Sequence, residues 1–292
     1  MRACVLSGGG SKGAYQIGVL KRWMGEQGID YDIMCGVSVG AINVVGLAMT
    51  PLGKPKEAID YLEKQWLEKV ETKAIYKRWF PFGALHGLWL KSVYDSSPLR
   101  DLIGSMLDTE KVATNGRRIA VGSVSLDTGA YRFARENDPQ LLDWVLASSS
   151  FPVFLTPVEM NGQQWSDGGI KSVTPLGAAV KLGATEIDVI MCNNVDTRSI
   201  WSSETKRALP DQALRVLDLS IEQNIINDLK ITGLKNELAV INPMYHVVKV
   251  RLVMPTTKLA DNSLIFDKDE IKRMIQIGHE DADKAIVYTP KQ

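Results

Sequence analysis

The residues best suited to chemistry lie in a pentapeptide, GVSVG at residues 36–40, with Ser38 at its centre. The apolar run 33–35 before it predicts a buried strand, and the apolar residues 41–49 after it predict a buried helix. A G-x-S-x-G sequence at a tight strand-to-helix turn is the nucleophile-elbow pattern. Such a turn exposes the serine hydroxyl at the N-terminus of the helix, where a partial positive charge and unpaired N–H groups suit an oxyanion. A glycine-rich turn with an incidental serine has the same letters, so the pentapeptide alone leaves both interpretations open.

A glycine cluster at residues 8–10 has the properties that an oxyanion hole for such a serine would need. Without Cβ atoms, successive amides can turn toward one point and approach a substrate oxygen closely. The cluster follows a predicted strand over 3–6, and Ser38 follows the next predicted strand. The carboxyl ends of parallel strands share one sheet edge, where ligands bind in such folds, so we expect both features at one site.

The general base is the next requirement, and histidine is the first residue type to consider. The three histidines, His86, His246 and His279, have no local motif around them, and we expect surface or packing roles for them. Asp167, which two glycines follow, is the better candidate. A carboxylate within hydrogen-bond reach of a serine can act as its base if burial raises its pKa toward the working pH. Taken alone, the same sequence also fits an ordinary Asx turn.

Composition excludes several classes of protein. The 292 residues are 45% hydrophobic and 23% charged, which is typical of a soluble globular protein with a sizeable core. Lys plus Arg and Asp plus Glu both number 34, so global charge predicts no nucleic-acid binding. Cys4, Cys35 and Cys192 lie in apolar contexts without metal-ligand spacing, which indicates reduced core thiols and no metal. No stretch resembles a signal peptide or a transmembrane helix, so we expect a cytoplasmic protein.

The order of strands and helices predicts the fold class. Two strand–helix units in the first fifty residues favour a mainly parallel sheet with helices on both faces. Further helices are predicted over 56–70, 97–107, 138–148, 174–182, 212–239 and 268–285, and further strands over 119–124, 130–135, 186–192 and 247–254. No repeat, low-complexity tract or linker interrupts this order, so we expect a single domain over residues 1–292.

Residues 75–91 have no clean period and are aromatic, basic and interrupted by Pro and Gly. One interpretation is an irregular connection whose aromatic residues pack on the core. The other is a mobile lid or a peripheral membrane contact, with Trp and Phe in the lipid interface while Lys77, Arg78 and Lys91 meet the headgroups.

Taken together, these motifs resemble the signatures of the patatin-like phospholipases. The resemblance covers roughly residues 3–195, and the motifs stand in the order found in that family. The first motif is Gly8-Gly9-Gly10-Ser11-Lys12-Gly13, the second is Gly36-Val37-Ser38-Val39-Gly40, and the third is Asp167-Gly168-Gly169. The segment with Ala147, Ser148 and Pro152 also resembles the one that precedes the aspartate in these proteins.

The resemblance implies a three-layer α/β/α sandwich and a Ser–Asp dyad that works without histidine, metal or cofactor. It implies hydrolysis of acyl esters in phospholipids or other lipids through an acyl-enzyme. Ser38 would be the nucleophile and Asp167 the base, and the backbone amides of residues 8–10 with that of Val39 would form the oxyanion hole. Lys12 matches the basic residue of the first motif, where we expect a structural or electrostatic role.

Three other functions remain to be compared with this one. The spacing Gly8-x-Gly10-x-x-Gly13 after a strand also fits a dinucleotide-binding loop, but the acidic residue expected at the end of the second strand is absent. An α/β-hydrolase with a histidine triad usually carries its nucleophile after a later strand. A catalytically silent lipid- or partner-binding protein on the same fold would not need an intact Ser38 and Asp167.

Overall fold

The computed structural model describes residues 1–79, 92–193 and 247–288, together with isolated positions between 227 and 242. In chain order its strands are β1 (Arg2–Leu6), β2 (Ile33–Gly36), β3 (Lys77–Arg78), β4 (Tyr94–Asp95), β5 (Arg118–Ser125), β6 (Tyr131–Ala134), β7 (Val158–Met160), β8 (Gln163–Asp167), β9 (Glu186–Ile190), β10 (Lys249–Val253) and β11 (Ile286–Tyr288). Its helices are α1 (Gly13–Leu20), α2 (Val39–Ala48), α3 (Pro55–Lys69), α4 (Thr72–Ile75), α5 (Ser97–Met106), α6 (Thr109–Thr114), α7 (Leu141–Ser148), α8 (Leu176–Lys181) and α9 (Lys268–Asp281).

A mixed sheet forms the centre of the described part of the chain. Its strands run in the order β11-β10-β9-β1-β2-β5-β8-β7, and β6 pairs with β5. The five strands from β10 to β5 are parallel, whereas β11 at one edge and β6, β7 and β8 at the other are antiparallel to their neighbours. In the register of β1 and β2, Leu6 lies opposite Gly36, so the segments that follow both strands leave from the same sheet edge.

The central strands are apolar throughout because helices cover both of their faces. In β1, Cys4 and Leu6 belong to a core cluster with residues of α1, α2, α3 and α9. The alternate residues Ala3 and Val5 belong to a second cluster with residues of α8 on the other face. The predicted fold class, a mainly parallel sheet between two helical layers, is therefore confirmed.

Most predicted elements in the described ranges are present, and the differences are at their ends. The helix expected after the glycine cluster, through about Gln27 and ended by Gly28, is present as α1 followed by a π-helical segment over Lys21–Glu26, with Gly28 at φ 67°. The predicted C-terminal helix over 268–285 ends as α9 at Asp281, and β11 follows as an antiparallel edge strand that the sequence analysis missed. Three residues are too few to show the alternation that predicts a strand.

Some predictions fall on other parts of the chain. Most of the predicted helix over 212–239, residues 80–91, His86 and His246 lie outside the described residues. The single domain over 1–292 stays a prediction. Within the described ranges, none of the helices combines the length and apolar character needed to cross a bilayer.

Candidate active site

The segment from β2 to α2 is a sharp elbow with Ser38 at its tip. Ser38 has φ 58° and ψ −130°, a backbone conformation that L residues rarely adopt, and α2 begins at the next residue. The two flanking glycines are required by close packing. A Cβ atom on Gly36 would lie 2.3 Å from the Gly40 carbonyl oxygen, and one on Gly40 would lie 2.4 Å from the Leu6 carbonyl oxygen. The elbow is therefore folded tightly against the end of β1.

Two serines at the end of α7, Ser148 and Ser149, hold the strained backbone of Ser38. The Ser38 amide donates to Ser148 Oγ at 3.0 Å, and Ser149 Oγ donates to the Ser38 carbonyl oxygen at 3.2 Å. Ser148 Oγ in turn donates to the carbonyl oxygen of Gly122 in β5 at 2.6 Å. These bonds offset the strain of the elbow and fix its position against the sheet.

Asp167 is brought to Ser38 by the antiparallel end of the sheet. It is the last residue of β8 and lies opposite Ser123 of β5. Its side chain is buried, with the residue only 2% exposed, and Oδ1 accepts a hydrogen bond from the Gly169 amide at 2.8 Å. Oδ2 is buried without a hydrogen-bond partner among the described residues. It is thus the acceptor of the carboxyl that is still free to take a proton.

Burial raises the pKa of Asp167 from its ordinary value of 3.8 to about 7. The nearby Ser38 hydroxyl and the Gly169 amide act in the opposite direction, because both stabilise the carboxylate. No hydrogen bond of normal length joins Ser38 Oγ to Oδ2, although the hydroxyl is near enough to affect this pKa. Catalytic hydrogen bonds are often long in the free enzyme and shorten when substrate binds.

The glycine cluster lies beside Ser38, and its amides differ in what they bind. The Gly8 amide donates to the Val173 carbonyl oxygen at 3.3 Å, so this N–H is used within the fold. The amides of Gly9, Gly10 and Val39 have no hydrogen-bond partner among the described residues. Of the predicted oxyanion-hole donors, these three are available to a ligand.

Tight packing explains why the cluster consists of glycines. A Cβ atom on Gly9 would lie 2.4 Å from Cys192 Cβ. Gly10 has φ 57°, and a Cβ atom there would lie 2.2 Å from the Ser263 carbonyl oxygen. The loop is therefore held between the end of β9 and the segment before α9, and any side chain at these positions would displace it.

A buried chain of polar side chains supports the loop from below. Trp66 Nε1 donates to Asn43 Oδ1, Asn43 Nδ2 donates to Gln16 Oε1, and Gln16 Nε2 donates to the Ser7 carbonyl oxygen, each at 2.8 Å. These residues lie on α3, α2 and α1 and at the end of β1. The network links helix α2, which follows Ser38, to the start of the glycine loop. No sequence motif marks these three side chains.

One cavity brings the predicted chemical groups together. Ser38, Val39, Asp167, Gly169, Lys12 and the glycines at 8–10 all line it. Lys12 Nζ donates to Asn193 Oδ1 at 2.7 Å. The remaining described lining is mostly apolar and includes Ile42, Trp66, Val70, Ile75, Leu99, Leu102, Met106, Phe151, Leu155, Val173, Leu264 and Phe266. The arrangement suits a substrate with a polar reacting centre and a large apolar part.

The other predicted motif residues have packing roles. A Cβ atom on Gly13 would lie 2.4 Å from Val39 Cγ2, and one on Gly168 would lie 2.4 Å from the Gly122 carbonyl oxygen. His279 lies on α9 with Nε2 2.7 Å from Glu26 Oε1, and it does not line the cavity. The described residues contain no group of three or more His, Cys, Asp or Glu side chains that could hold a metal ion.

Comparison with known proteins gives consistent matches. A protein-family model described as Patatin-like phospholipase matches residues 4–180. The chain is 25% identical over 183 residues to a cGAMP-activated phospholipase from Pseudomonas aeruginosa, an alignment that covers 58% of this chain and 53% of that protein. It is 26% identical over 192 residues to Patatin-like phospholipase domain-containing protein 7 from Rattus norvegicus, which covers 64% of this chain and 13% of that protein.

A solved structure is also similar to the chain. The crystal structure of VipD from Legionella pneumophila matches 98% of this chain and 68% of that protein, with a TM-score of 0.48 and 12% sequence identity. The chain spans about half the length of the Pseudomonas phospholipase and a much smaller part of the rat protein.

Removing the Ser148 hydroxyl tests its role in holding the elbow. In Ser148→Ala the Ser38 amide loses its acceptor, so we expect the Ser38 hydroxyl to be misplaced and kcat for ester hydrolysis to fall roughly 10- to 100-fold. Ser150→Ala is the matched control, since Ser150 Oγ donates within its own segment to the Leu146 carbonyl oxygen. Steady-state kinetics with an ester substrate measures the effect. Equal kcat values in the two variants would show that Ser148 does not position Ser38.

The buried carboxyl of Asp167 predicts a pH-dependent stability. The pKa of Asp167 is about 7 in the folded protein, compared with the ordinary value of 3.8 that we assign to the unfolded chain. Between these two pH values, the folded protein holds a proton that the unfolded chain releases. Stability is therefore highest below about pH 4 for this group and falls by about 1.4 kcal/mol per pH unit as the pH rises toward 7. Asp167→Asn removes this pH-dependent loss of stability, because the amide side chain does not ionise.

Thermal unfolding of the two proteins from pH 4 to pH 8 measures the difference. We expect Asp167→Asn to have the higher Tm at pH 8, and the gap to narrow at lower pH. Since every other titrating group is shared, parallel Tm curves would contradict the raised pKa of Asp167.

Proposed function

The chain belongs to the patatin-like phospholipase family, and from this premise we propose that it is a serine hydrolase that cleaves carboxylic ester bonds of lipids. The family supports lipid hydrolase activity. The observation that carries the finer proposal is the single cavity lined by Ser38, Asp167 and the glycine loop. The rest of the cavity lining is largely apolar and fits the acyl part of a phospholipid or another lipid ester.

In the proposed mechanism, Asp167 Oδ2 takes the proton of Ser38 Oγ while that oxygen attacks the ester carbonyl carbon. The carbonyl oxygen becomes an oxyanion, to which the amides of Gly9, Gly10 and Val39 can donate. Collapse of this intermediate breaks the ester bond, and the proton on Asp167 passes to the departing alcohol oxygen. The product that stays bound is an ester of Ser38 with the acyl group.

Water completes the cycle. Asp167 takes a proton from a water molecule as the water oxygen attacks the acyl-enzyme carbonyl, and the same amides receive the second oxyanion. Ser38 Oγ leaves with the proton held by Asp167, and a fatty acid is released. The net reaction consumes one water and requires no histidine, metal or cofactor.

The environment of Asp167 supports its proposed role as the base. A carboxylate of ordinary pKa is a weak base toward a serine hydroxyl, whereas burial raises the pKa of Asp167 to about 7. The free Oδ2 acceptor gives the proton a place to go. The N-terminus of α2, which begins directly after Ser38, adds a partial positive charge beside the developing oxyanion.

The alternatives from the sequence are less well supported. A dinucleotide-binding loop needs an acidic residue at the end of the second strand, but β2 ends at Gly36 and Ser38 follows. A histidine triad needs an imidazole beside the serine, and no histidine occurs in the described lining of the cavity. The Ser–Asp dyad uses groups that do line it.

We also propose that the described residues 75–79 contact the lipid surface from which the substrate is drawn. Ile75 lines the cavity, and β3, formed by Lys77 and Arg78, follows it at the surface with both residues exposed. Exposed cationic side chains that follow an apolar cavity residue in the chain are suited to an anionic lipid surface, and Arg78 is the better placed of the two because Lys77 Nζ already lies 3.3 Å from Asp95 Oδ2. The cytoplasmic location stays a prediction.

Removing either dyad member tests the proposal. We expect Ser38→Ala and Asp167→Asn each to lower hydrolysis of phospholipid and p-nitrophenyl ester substrates by about 10⁴-fold or more, because the two act as one unit. The control is His279→Gln, which we expect to keep wild-type rates. Ser38→Ala should also fail to react with a fluorophosphonate probe. Full activity in Ser38→Ala would overturn the mechanism.

The pH profile provides a second test. The base acts only when Asp167 is ionised, so we expect kcat/KM to rise with pH and level off above a midpoint near pH 7. The measurement is hydrolysis of a neutral ester, whose own charge does not change, from pH 5 to pH 9. A midpoint near pH 4 would contradict a buried carboxyl as the base.

A further inference from the structure

A second cavity adjoins the one that contains Ser38. It is lined by Ile42, Val45, Gly46, Met49, Ile103, Met106, Leu107 and Val145. Ile42 and Met106 also line the Ser38 cavity, so the two spaces share a wall. We call the space with Ser38 the front cavity and the other the rear cavity.

The rear cavity continues the front cavity along one side of α2. Ile42, Val45 and Gly46 follow Ser38 by four, seven and eight residues, and Met49 comes directly after the last residue of α2. This spacing places them on one face of the helix. At 1.5 Å per residue, Met49 lies about 16 Å from Ser38 along the helix axis. The two spaces are thus arranged in a line that starts at the nucleophile.

Helix α5 forms the opposite side of both cavities. Leu99 and Leu102 line only the front cavity, and Met106 lines both. Ile103 and Leu107, the residue that directly follows α5, line only the rear cavity. This row is the apolar stripe of an amphipathic helix. Met106 and Ile42 are each only partly buried, so their side chains have space on one side.

The lining of the rear cavity selects an apolar occupant. All its described lining residues are apolar, and the weakly accepting sulfur atoms of Met49 and Met106 are their only side-chain groups that could hydrogen-bond a buried water molecule. A straight hydrocarbon chain that begins at an ester on Ser38 and follows α2 would reach it past Met106. Each methylene buried there would favour binding roughly fourfold.

We propose that the rear cavity is a subsite for the far end of the substrate acyl chain, and that Met106 sets the chain length the enzyme accepts. This inference rests on the proposed function, because it assumes that an acyl group is attached to Ser38. In the wild type, the Met106 side chain narrows the passage from the front to the rear cavity without closing it. Shortening this side chain widens the passage, so that a longer part of the acyl chain enters the rear cavity.

The test compares Met106→Ala with the wild type on a series of p-nitrophenyl esters from butanoate through octanoate and dodecanoate to hexadecanoate. We expect kcat/KM of Met106→Ala to peak at a longer ester, by roughly two to four carbons, with a gain of about tenfold or more for the longest good substrate. Leu102→Ala is the matched control, because it widens the front cavity without opening the rear one. We expect its preferred length to stay that of the wild type.

A second variant tests whether the rear cavity itself accepts the chain. Leu107 lines only the rear cavity and is partly buried, so Leu107→Phe fills the space with little disturbance of the core. We expect the double variant Met106→Ala/Leu107→Phe to lose the long-chain gain. If Met106→Ala and Leu102→Ala have the same length profile, or if the filled double variant keeps the gain, the rear subsite is refuted.

Binding without catalysis separates this inference from the proposed function. Calorimetric titration of Ser38→Ala with decanoate, dodecanoate and hexadecanoate measures fatty-acid affinity directly. We expect Ser38→Ala/Met106→Ala to bind the longest of these at least tenfold more tightly than Ser38→Ala does. If the wild type hydrolyses esters but the variants prefer the same chain length as the wild type, the rear subsite is refuted and the proposed function is not. If the wild type hydrolyses no ester, the proposed function is refuted. The fatty-acid titration would still show whether the rear cavity binds the end of an acyl chain.

Discussion

The burial of the Asp167 carboxyl is the constraint on which the rest of the site depends. Removing a carboxyl group from water without an ion partner makes its charged form less stable. This desolvation raises the pKa of Asp167 to about 7. We expect this desolvation to lower stability at neutral pH, and in the proposed mechanism it also makes the carboxylate basic enough to accept the proton of Ser38. Among the residues that the structure describes, the Gly169 amide donates to Oδ1 and no group donates to Oδ2, which is the oxygen that the proposed mechanism assigns to the Ser38 proton.

The position of the Ser38 hydroxyl depends on the sheet around it. The parallel pair β1 and β2 brings the glycine loop and the elbow to one edge, while antiparallel β8 delivers Asp167 through its pairing with β5. Ser148 connects the two parts, since its hydroxyl contacts both the Ser38 amide and the Gly122 carbonyl oxygen of β5. The strained backbone conformation of Ser38 persists because the close packing of its flanking glycines and its hydrogen bonds to Ser148 and Ser149 hold it in place.

Helix α2 has two functions in the proposed enzyme. Its N-terminus lies directly at Ser38, where the partial positive charge and the Val39 amide favour an oxyanion. Its apolar face extends from that point along both cavities, with α5 opposite. The chemistry and the recognition of the acyl chain are therefore aligned on one rigid element, which is the arrangement that holds a substrate in a fixed geometry.

The sequence determined the fold class and the chemical groups, because both depend on local patterns: apolar strands of the right length, glycines where backbone must approach backbone, and a serine between a strand and a helix. It gave no role to Ser148 and no signal for the Trp66–Asn43–Gln16 network, and it did not show that the Gly8 amide is used by Val173. Those contacts join segments 23 to 165 residues apart in the chain, where no local periodicity operates. The burial of Asp167, its free Oδ2 and the line of two cavities along α2 were likewise decided only by the tertiary structure, since desolvation and enclosed space arise only when distant elements pack together.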